Sequence, residues 1–497
     1  RKSKKKQRIP SVSVDGFDNL LHKNGIIWDV AAGLPEPAPL LTFKDDINNY
    51  PELAEQYGFS EDQQKWGDNR INLWGSKEDR GLVLGAPGSG KTSLLIAQAV
   101  EWMKTGQSLV LTDIKPEIFG LLKANGLFER YGYEYHVINP TDVASHHYNM
   151  FGEIERESDY NEILNVLIPA ADGDAAVFTD NARRLLKAVL IELGEKASLS
   201  NAQKYINSMD DNAELLKTLR QSDNETVSSI AKDITRTAKS DNLLASIMTA
   251  VSKAFDFLDD ERIRKTISDN ADGFYLKDVL MKPKQAVFLQ FDQQYKSSTA
   301  TLFGAMVAHT MRILQANQDR GAVFLALDEI INCAPIPKFT DLLNTIRSAN
   351  MPTFLYLQSL EGLNRLYGSN SEKIFMGSSN LKIVFRIGDI ESAEECSRLV
   401  GQTETTYISE TAGTSQTSGT SSSSRASSSS SNRSQNVGTT KSIKLESIIE
   451  PAEFIKLPIG TAVVMYNGSY GTLEMPKYYE CYNMPKRTTL KTIQDFK

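Results

Sequence analysis

From Gly81 onward the chain alternates short β-branched or aliphatic runs with longer stretches of helical periodicity. The runs Gly81–Gly85, Ser108–Asp113, Glu134–Asn139, Gln285–Phe291, Ala322–Asp328, Thr353–Gln358, Leu381–Arg386 and Thr461–Tyr466 predict strands. Strands separated by helices predict an α/β fold with a mainly parallel sheet. Between Phe178 and Asp272 no such run occurs, while helical spacing recurs, as in Leu185, Leu186, Val189, Leu190 and Leu193 ahead of Gly194. An all-α domain, residues 178–272, is therefore expected as an insertion into a discontinuous sheet domain, residues 71–177 and 273–497. Residues 10 to 70 are punctuated by Pro, Asp and Asn with only short apolar runs, so 1–70 reads as a basic N-terminal stretch with a small leading region. Residues 411–440 hold 12 Ser and no large apolar side chain. Nothing there can offset ordering entropy by burial, so a disordered loop is expected.

Composition narrows the class. The chain has 497 residues, 40% hydrophobic and 24% charged, with Gly 31 and Pro 17, which excludes collagen-like, coiled-coil and wholly disordered chains. Cys333, Cys396 and Cys481 are too few and too scattered for a disulfide framework or a thiolate zinc site, which points to a reducing, cytoplasmic setting. His22, His136, His146, His147 and His309 show no metal-ligand spacing, so a transition-metal centre is not expected. The net charge is −7, so any DNA contact has to be local. Six cations crowd the first eight residues, Arg1 to Arg8, leaving −13 for the remainder. The chain opens on Arg, and such a cluster resembles the cytoplasmic flank of a transmembrane helix, although a solvated tail gives the same pattern. No apolar run in the sequence is long enough to span a bilayer.

The candidate chemistry begins at Gly85-Ala86-Pro87-Gly88-Ser89-Gly90-Lys91-Thr92, a complete G-x-x-x-x-G-K-T sequence. It follows the apolar run Leu82-Val83-Leu84 and precedes an amphipathic stretch through Met103, the strand–turn–helix context that the motif requires. Gly85, Gly88, Ser89, Gly90 and Ser93 are candidate phosphate-loop positions, because glycines let backbone N–H groups turn toward phosphates at a helix start. Lys91 would add a point charge, and Thr92 would place its hydroxyl on Mg²⁺.

A second apolar strand, Ala322 to Leu327, ends in Asp328-Glu329. Asp328 suits the Mg²⁺ shell, and Glu329, one residue farther on, suits polarising an attacking water as general base. The two motifs together predict nucleoside triphosphate hydrolysis. Gln358 closes the next strand, where its amide could sense the terminal phosphate through water or simply cap the strand. Arg347 falls in an expected helix between these strands, and reads equally as an arginine finger for a neighbouring subunit or as a solvated cation. A third set, Lys232, Arg236 and Lys239, shares one helical face that could meet DNA phosphate or only water.

The segment from Phe324 through Asp328, Glu329 and Ile330 to Pro337 resembles the second nucleotide motif of the type IV secretion coupling proteins, the conjugative DNA-transfer ATPases. The stretches Asp341 to Arg347 and Tyr356 to Leu360 are similar to that family's following helix and glutamine-ended strand. Upstream, Leu111 to Glu117, Val137 to Pro140, Tyr148 to Phe151 and Phe178 to Ala182 are similar to its successive turns and to the start of its helical domain. Ile114, Pro116, Met150 and Thr179 depart from the family's usual residues, and leave the phosphate-site residues untouched.

The resemblance covers Leu73 to Asn467 and implies a RecA-like nucleotide domain with an inserted all-α domain. It implies ATP and Mg²⁺ as cofactors, DNA and a relaxase or secreted protein as substrates, and channel ATPases and inner-membrane subunits as partners. It also implies a homohexameric ring at the cytoplasmic face of the bacterial inner membrane, with an upstream anchor; a soluble fragment alone is expected to be monomeric. Two other functions use the same residues: a DNA translocase without a secretion partner, and a substrate receptor that uses nucleotide only for assembly.

Overall fold

The computed structural model describes residues 39–44, 70–74 and 78–497, apart from short gaps at 239–240, 270–273, 292, 334, 346–348, 424–425, 467, 476, 483 and 497. The basic stretch Arg1 to Arg8 lies outside the described residues.

Eight strands form where apolar runs predict them: β3 (Arg80–Leu84), β4 (Ser108–Asp113), β5 (Glu134–Ile138), β6 (Gln285–Gln290), β7 (Val323–Asp328), β8 (Thr353–Leu357), β9 (Leu381–Val384) and β12 (Thr461–Tyr466). Three more join the same sheet, β1 (Pro39–Lys44), β2 (Arg70–Trp74) and β13 (Ser469–Glu474), in the order β2-β1-β13-β12-β9-β3-β8-β7-β4-β6-β5. The strands from β9 to β5 run parallel, and the four beyond β9 pair antiparallel.

Each central strand feeds two layers, because successive side chains leave a strand on opposite faces. In β3, Leu82 and Leu84 face one core while Val83 faces the other; in β8, Leu355 and Leu357 oppose Phe354 and Tyr356. One layer is closed by the helix Lys91–Lys104, through Leu94, Leu95, Ala99, Trp102 and Met103. The other layer continues without a break into the helical section. Such double coverage is why these strands read as unbroken apolar runs.

The helical section is the connection from β5 to its parallel neighbour β6. It includes helices Tyr160–Leu167, Ala176–Leu193, Leu199–Asn207, Asn212–Arg220, Glu225–Thr237 and Asp241–Lys253, with no strand among its described residues. Leu185, Leu186, Val189 and Leu190 form a buried stripe packed with Leu215, Leu219, Val227 and Ile234. Side-chain caps from Ser198, Asp211 and Asn224 begin three of these helices. Gly194, at a φ of 55°, ends Ala176–Leu193. None of the helices among the described residues is long and apolar enough to cross a membrane.

Of the leading region 1–70, the described strand β1 pairs with both β13 and β2, and residues 1–38 and 45–69 lie outside the described residues. One expectation is corrected. The segment 411–440 is not a disordered loop; it lies in a long antiparallel ribbon of β10 (Gln402–Ser423) and β11 (Ala426–Ser447). Missing apolar side chains rule out a packed core there, but a ribbon satisfies its backbone by pairing with itself, and composition is blind to that.

Candidate functional site

The parallel strands deliver their carboxyl ends to one edge, where α/β sheets bind ligands. After β3 the chain turns through Gly85 to Gly90 into Lys91–Lys104. Gly88 and Gly90 take φ values of 73° and 126°, which glycine adopts at no steric cost. Gly85 answers to space instead: a Cβ there would stand 2.6 Å from Ser89 Oγ and 2.7 Å from Phe385 Cβ. The Gly85 N–H donates to the Leu357 carbonyl at 3.1 Å and the Ala86 N–H to that of Arg386 at 2.8 Å, which pins the turn to neighbouring strand ends.

Lys91 is buried, and its Nζ donates to the loop carbonyls of Gly85 at 2.5 Å and Ala86 at 3.3 Å. Burial lowers its pKa, against the pull of Glu329 and Asp328. Thr92 and Ser93 follow on the first turn, half-buried. Ser93 Oγ accepts from the backbone N–H of Tyr478 at 3.2 Å. Ser89 Oγ is buried with no hydrogen-bond partner among the described residues.

Asp328 ends β7, with its backbone carbonyl held by Thr112 Oγ1 at 3.0 Å. Burial, reinforced by the neighbouring Glu329 charge, pushes its carboxyl up to about 7. A bound cation would reverse that, because it favours the carboxylate. Glu329 is buried and left-handed, at a φ of 52°, a conformation that costs a non-glycine residue energy. Its N–H is tied to the Tyr356 carbonyl at 3.1 Å. Its carboxylate accepts from Gln358 Nε2 and, at 3.5 Å, from Asn332 Nδ2. The strand-end positions of β7 and β8 thus aim one carboxylate.

Lys91, Thr92, Asp328, Glu329 and Gln358 line one cleft of about 640 Å³, together with Gly88, Gly90 and Ser93 of the glycine turn and its helix. Arg347 lies outside the described residues. In the row Lys232, Arg236 and Lys239, Lys232 and Arg236 are exposed, Asp233 beside them pairs with Arg184 at 2.8 Å and with Arg236 at 3.7 Å, and Lys239 is outside the described residues.

Two features escaped the sequence reading. Asp113, at the end of β4, is a buried carboxylate taking N–H donors from Glu117, Ile118 and Phe119 at 3.0, 3.2 and 3.1 Å, and Gln290 Nε2 at 3.0 Å. Burial raises its pKa despite those four bonds. The C-terminal segment also lines the cleft, through Lys477, Tyr479, Lys486 and Arg487. Its only sequence signal was cations beside tyrosines.

A glycine turn between parallel strand and helix, a buried lysine at that helix start, and an Asp-Glu pair at a nearby strand end define a RecA-like P-loop fold. The chain belongs to the family described as the type IV secretion-system coupling protein DNA-binding domain, matched over residues 71–475. Among solved structures it is similar to the bacterial conjugative coupling protein TrwBdeltaN70 in its unbound monoclinic form, with a TM-score of 0.58 and 17% identity, covering 84% of this chain and 88% of that one. TrwB in complex with ADP and Mg²⁺ gives 0.57 and 17%, over 81% and 85% of the two chains. TrwB with a non-hydrolysable ATP analogue gives 0.57 and 18%, over 81% and 86%. Identities this low speak to the fold alone. No curated protein sequence matches the chain.

Proposed function

We propose that the chain is the ATP-hydrolysing motor of a type IV secretion or conjugation system, which recruits a DNA–protein or protein substrate at the cytoplasmic face of the membrane and delivers it to the channel. The observation that carries this reading is the convergence of Lys91, Thr92, Asp328, Glu329 and Gln358 on one cleft, in a chain of the coupling-protein family. The residues present fit a triphosphate with its cation. Ser89 Oγ is an orphaned polar atom inside the turn, a side chain at Gly85 would fill the cradle, and Asp328 is a buried acid that a divalent ion would discharge. TrwB, similar in fold, has been solved with ADP and Mg²⁺.

When bound, MgATP supplies a reactive phosphoanhydride and the ion that neutralises it. The backbone from Gly85 to Gly90, with Ser89 and Ser93, cradles the phosphates, and Lys91 holds a positive charge against them. Thr92 Oγ1 and the Asp328 carboxylate hold the ion. Glu329 takes a proton from the attacking water at its carboxylate, which Gln358 orients. Arg347 is assigned to the nucleotide of a neighbouring subunit in a homohexameric ring, so the chain by itself is a weakly active monomer that DNA stimulates.

Phosphate release by the wild type, Lys91→Ala and Glu329→Gln, with and without DNA, tests the reading. Turnover that needs both residues and rises with DNA supports it. A wild type inert with DNA and Mg²⁺ at every protein concentration rejects it, and turnover indifferent to both substitutions rejects these residue roles.

A further inference from the structure

Beyond β13 the chain crosses the carboxyl ends of the parallel strands as a strap. At one end, on the helix that starts with Lys91, the Tyr478 N–H donates to Ser93 Oγ at 3.2 Å and the Tyr482 hydroxyl to Glu101 Oε1 at 2.6 Å. At the other end the Lys491 carbonyl accepts from Gln290 Nε2 at 3.2 Å, and the rings of Phe119 and Phe496 meet at 5.8 Å. The contact is close: a Cβ on Gly120 would stand 1.9 Å from the Leu490 carbonyl oxygen. Tyr478, Met484 and Ile493 are buried and hold the strap down.

Between those anchors Lys486 and Arg487 are exposed, yet they line the same cleft as Lys91 and Glu329. Packing explains the anchors. It does not explain why cations span the cleft mouth. Among the described residues, six Lys and Arg side chains line the cleft, four of them on the strap, against three carboxylates. That surplus, in a chain whose net charge is −7, suits a polyanion. Lys486 Nζ sits 4.7 Å over the Tyr479 ring, and neither it nor Arg487 is in an ion pair among the described residues.

We propose that the strap is part of the nucleotide site, with Lys486 and Arg487 acting as phosphate-holding groups supplied by the same chain from outside the phosphate loop. The inference rests on the nucleotide reading above and extends it to a segment that lies beyond the family match at residue 475. The two cations are bound into the site through the strap's anchors, so the strap's position sets how tightly the triphosphate is held.

Equilibrium titration of a fluorescent ATP analogue into the full chain tests this, using wild type, Lys91→Ala, the alanine pair Lys486→Ala/Arg487→Ala, and the charge-conserving pair Lys486→Arg/Arg487→Lys. The alanine pair is expected to bind about tenfold more weakly at low salt. The charge-conserving pair should stay near wild type, and both pairs should melt with the wild type, since these side chains are exposed. Wild-type or tighter nucleotide binding by the alanine pair overturns the strap's role and leaves the Lys91 site standing. Loss of DNA affinity with nucleotide affinity intact also overturns it, and assigns the cations to DNA. A wild type that binds no nucleotide overturns the underlying reading together with this one.

Discussion

Gln358 donates its side-chain amide to the carboxylate of Glu329, across the ends of two neighbouring parallel strands. The bond links a residue just past β8 to a left-handed one just past β7. It fixes the direction of a buried carboxylate. Glu329→Gln is therefore expected to keep nucleotide binding and lose roughly a hundredfold or more in kcat, the usual scale for removing a general base. Gln358→Ala should cost about tenfold in kcat with KM nearly unchanged, because it removes orientation rather than the base. Steady-state phosphate release checks both. Equal losses in KM would show that the pair serves binding instead.

Gly85 is expected to tolerate no side chain. Its Cβ position is crowded by Phe385 Cβ, fixed at the base of its side chain, and by Ser89 Oγ, which would have to turn away. Gly85→Ala should lower unfolding free energy by about 1–3 kcal/mol, the range for overpacking, and weaken nucleotide binding by displacing Ser89. Urea unfolding with a parallel nucleotide titration reads both effects. Gly88→Ala is the comparison, since nothing lies within 4 Å of its Cβ position and only its positive φ opposes the change.

Much of this site was legible in the sequence because its geometry is local. Gly85 to Thr92 and Asp328-Glu329 each sit within a few residues of an apolar strand, so the pattern that predicts the strand also places the chemistry. Features that depend on distant pairing were not legible. β1 and β2 are short runs among Pro and Asn that become strands by pairing with each other and, through β1, with β13. Asp113 looked like one acid in a turn, and only the fold supplies Gln290 to it. The strap's cations drew no reading from the sequence, because what brings them to the cleft is anchoring at Ser93 and Gln290, far away in the chain. For the row at Lys232, spacing puts the cations on one face, and only the fold adds Arg184 to Asp233 beside them.

Asp328 makes stability depend on pH in a direction opposite to that of a paired surface carboxylate. Its folded pKa is raised from 3.8 to about 7, so between those values the folded chain binds a proton that the unfolded chain has lost. Stability from this group is greatest below about pH 4 and falls as pH rises through about 7. Asp328→Asn, which carries no charge, should be more stable than wild type at pH 8 without Mg²⁺, on the order of 4 kcal/mol, and should match it near pH 4. Urea unfolding across that range checks the sign. A difference that does not change with pH would mean that Asp328 is already ionised freely in the folded chain.

The ribbon of β10 and β11 pairs residue for residue from Gln402 with Ser447 to Ser423 with Ala426. Its root is fixed where the Ile448 N–H meets the Gly401 carbonyl at 3.1 Å and Ser397 Oγ meets the Ile449 carbonyl at 2.6 Å. Beyond that root Ile443 and Leu445 are each 65% exposed, so the ribbon near its base leaves apolar surface in water rather than burying it on the sheet. A two-stranded ribbon of this kind contributes little to the stability of the domain that carries it. Replacing residues 404–445 with a short Gly-Ser turn should therefore leave the melting temperature within about 2 °C and ATP turnover within about twofold, since closure entropy changes slowly with loop length. Substrate transfer is the measurement that separates an inert ornament from a working arm. Full turnover with lost transfer would give the ribbon a role in contacting a neighbouring subunit or the transported chain. A large fall in melting temperature would instead show that the ribbon packs against the body of the sheet.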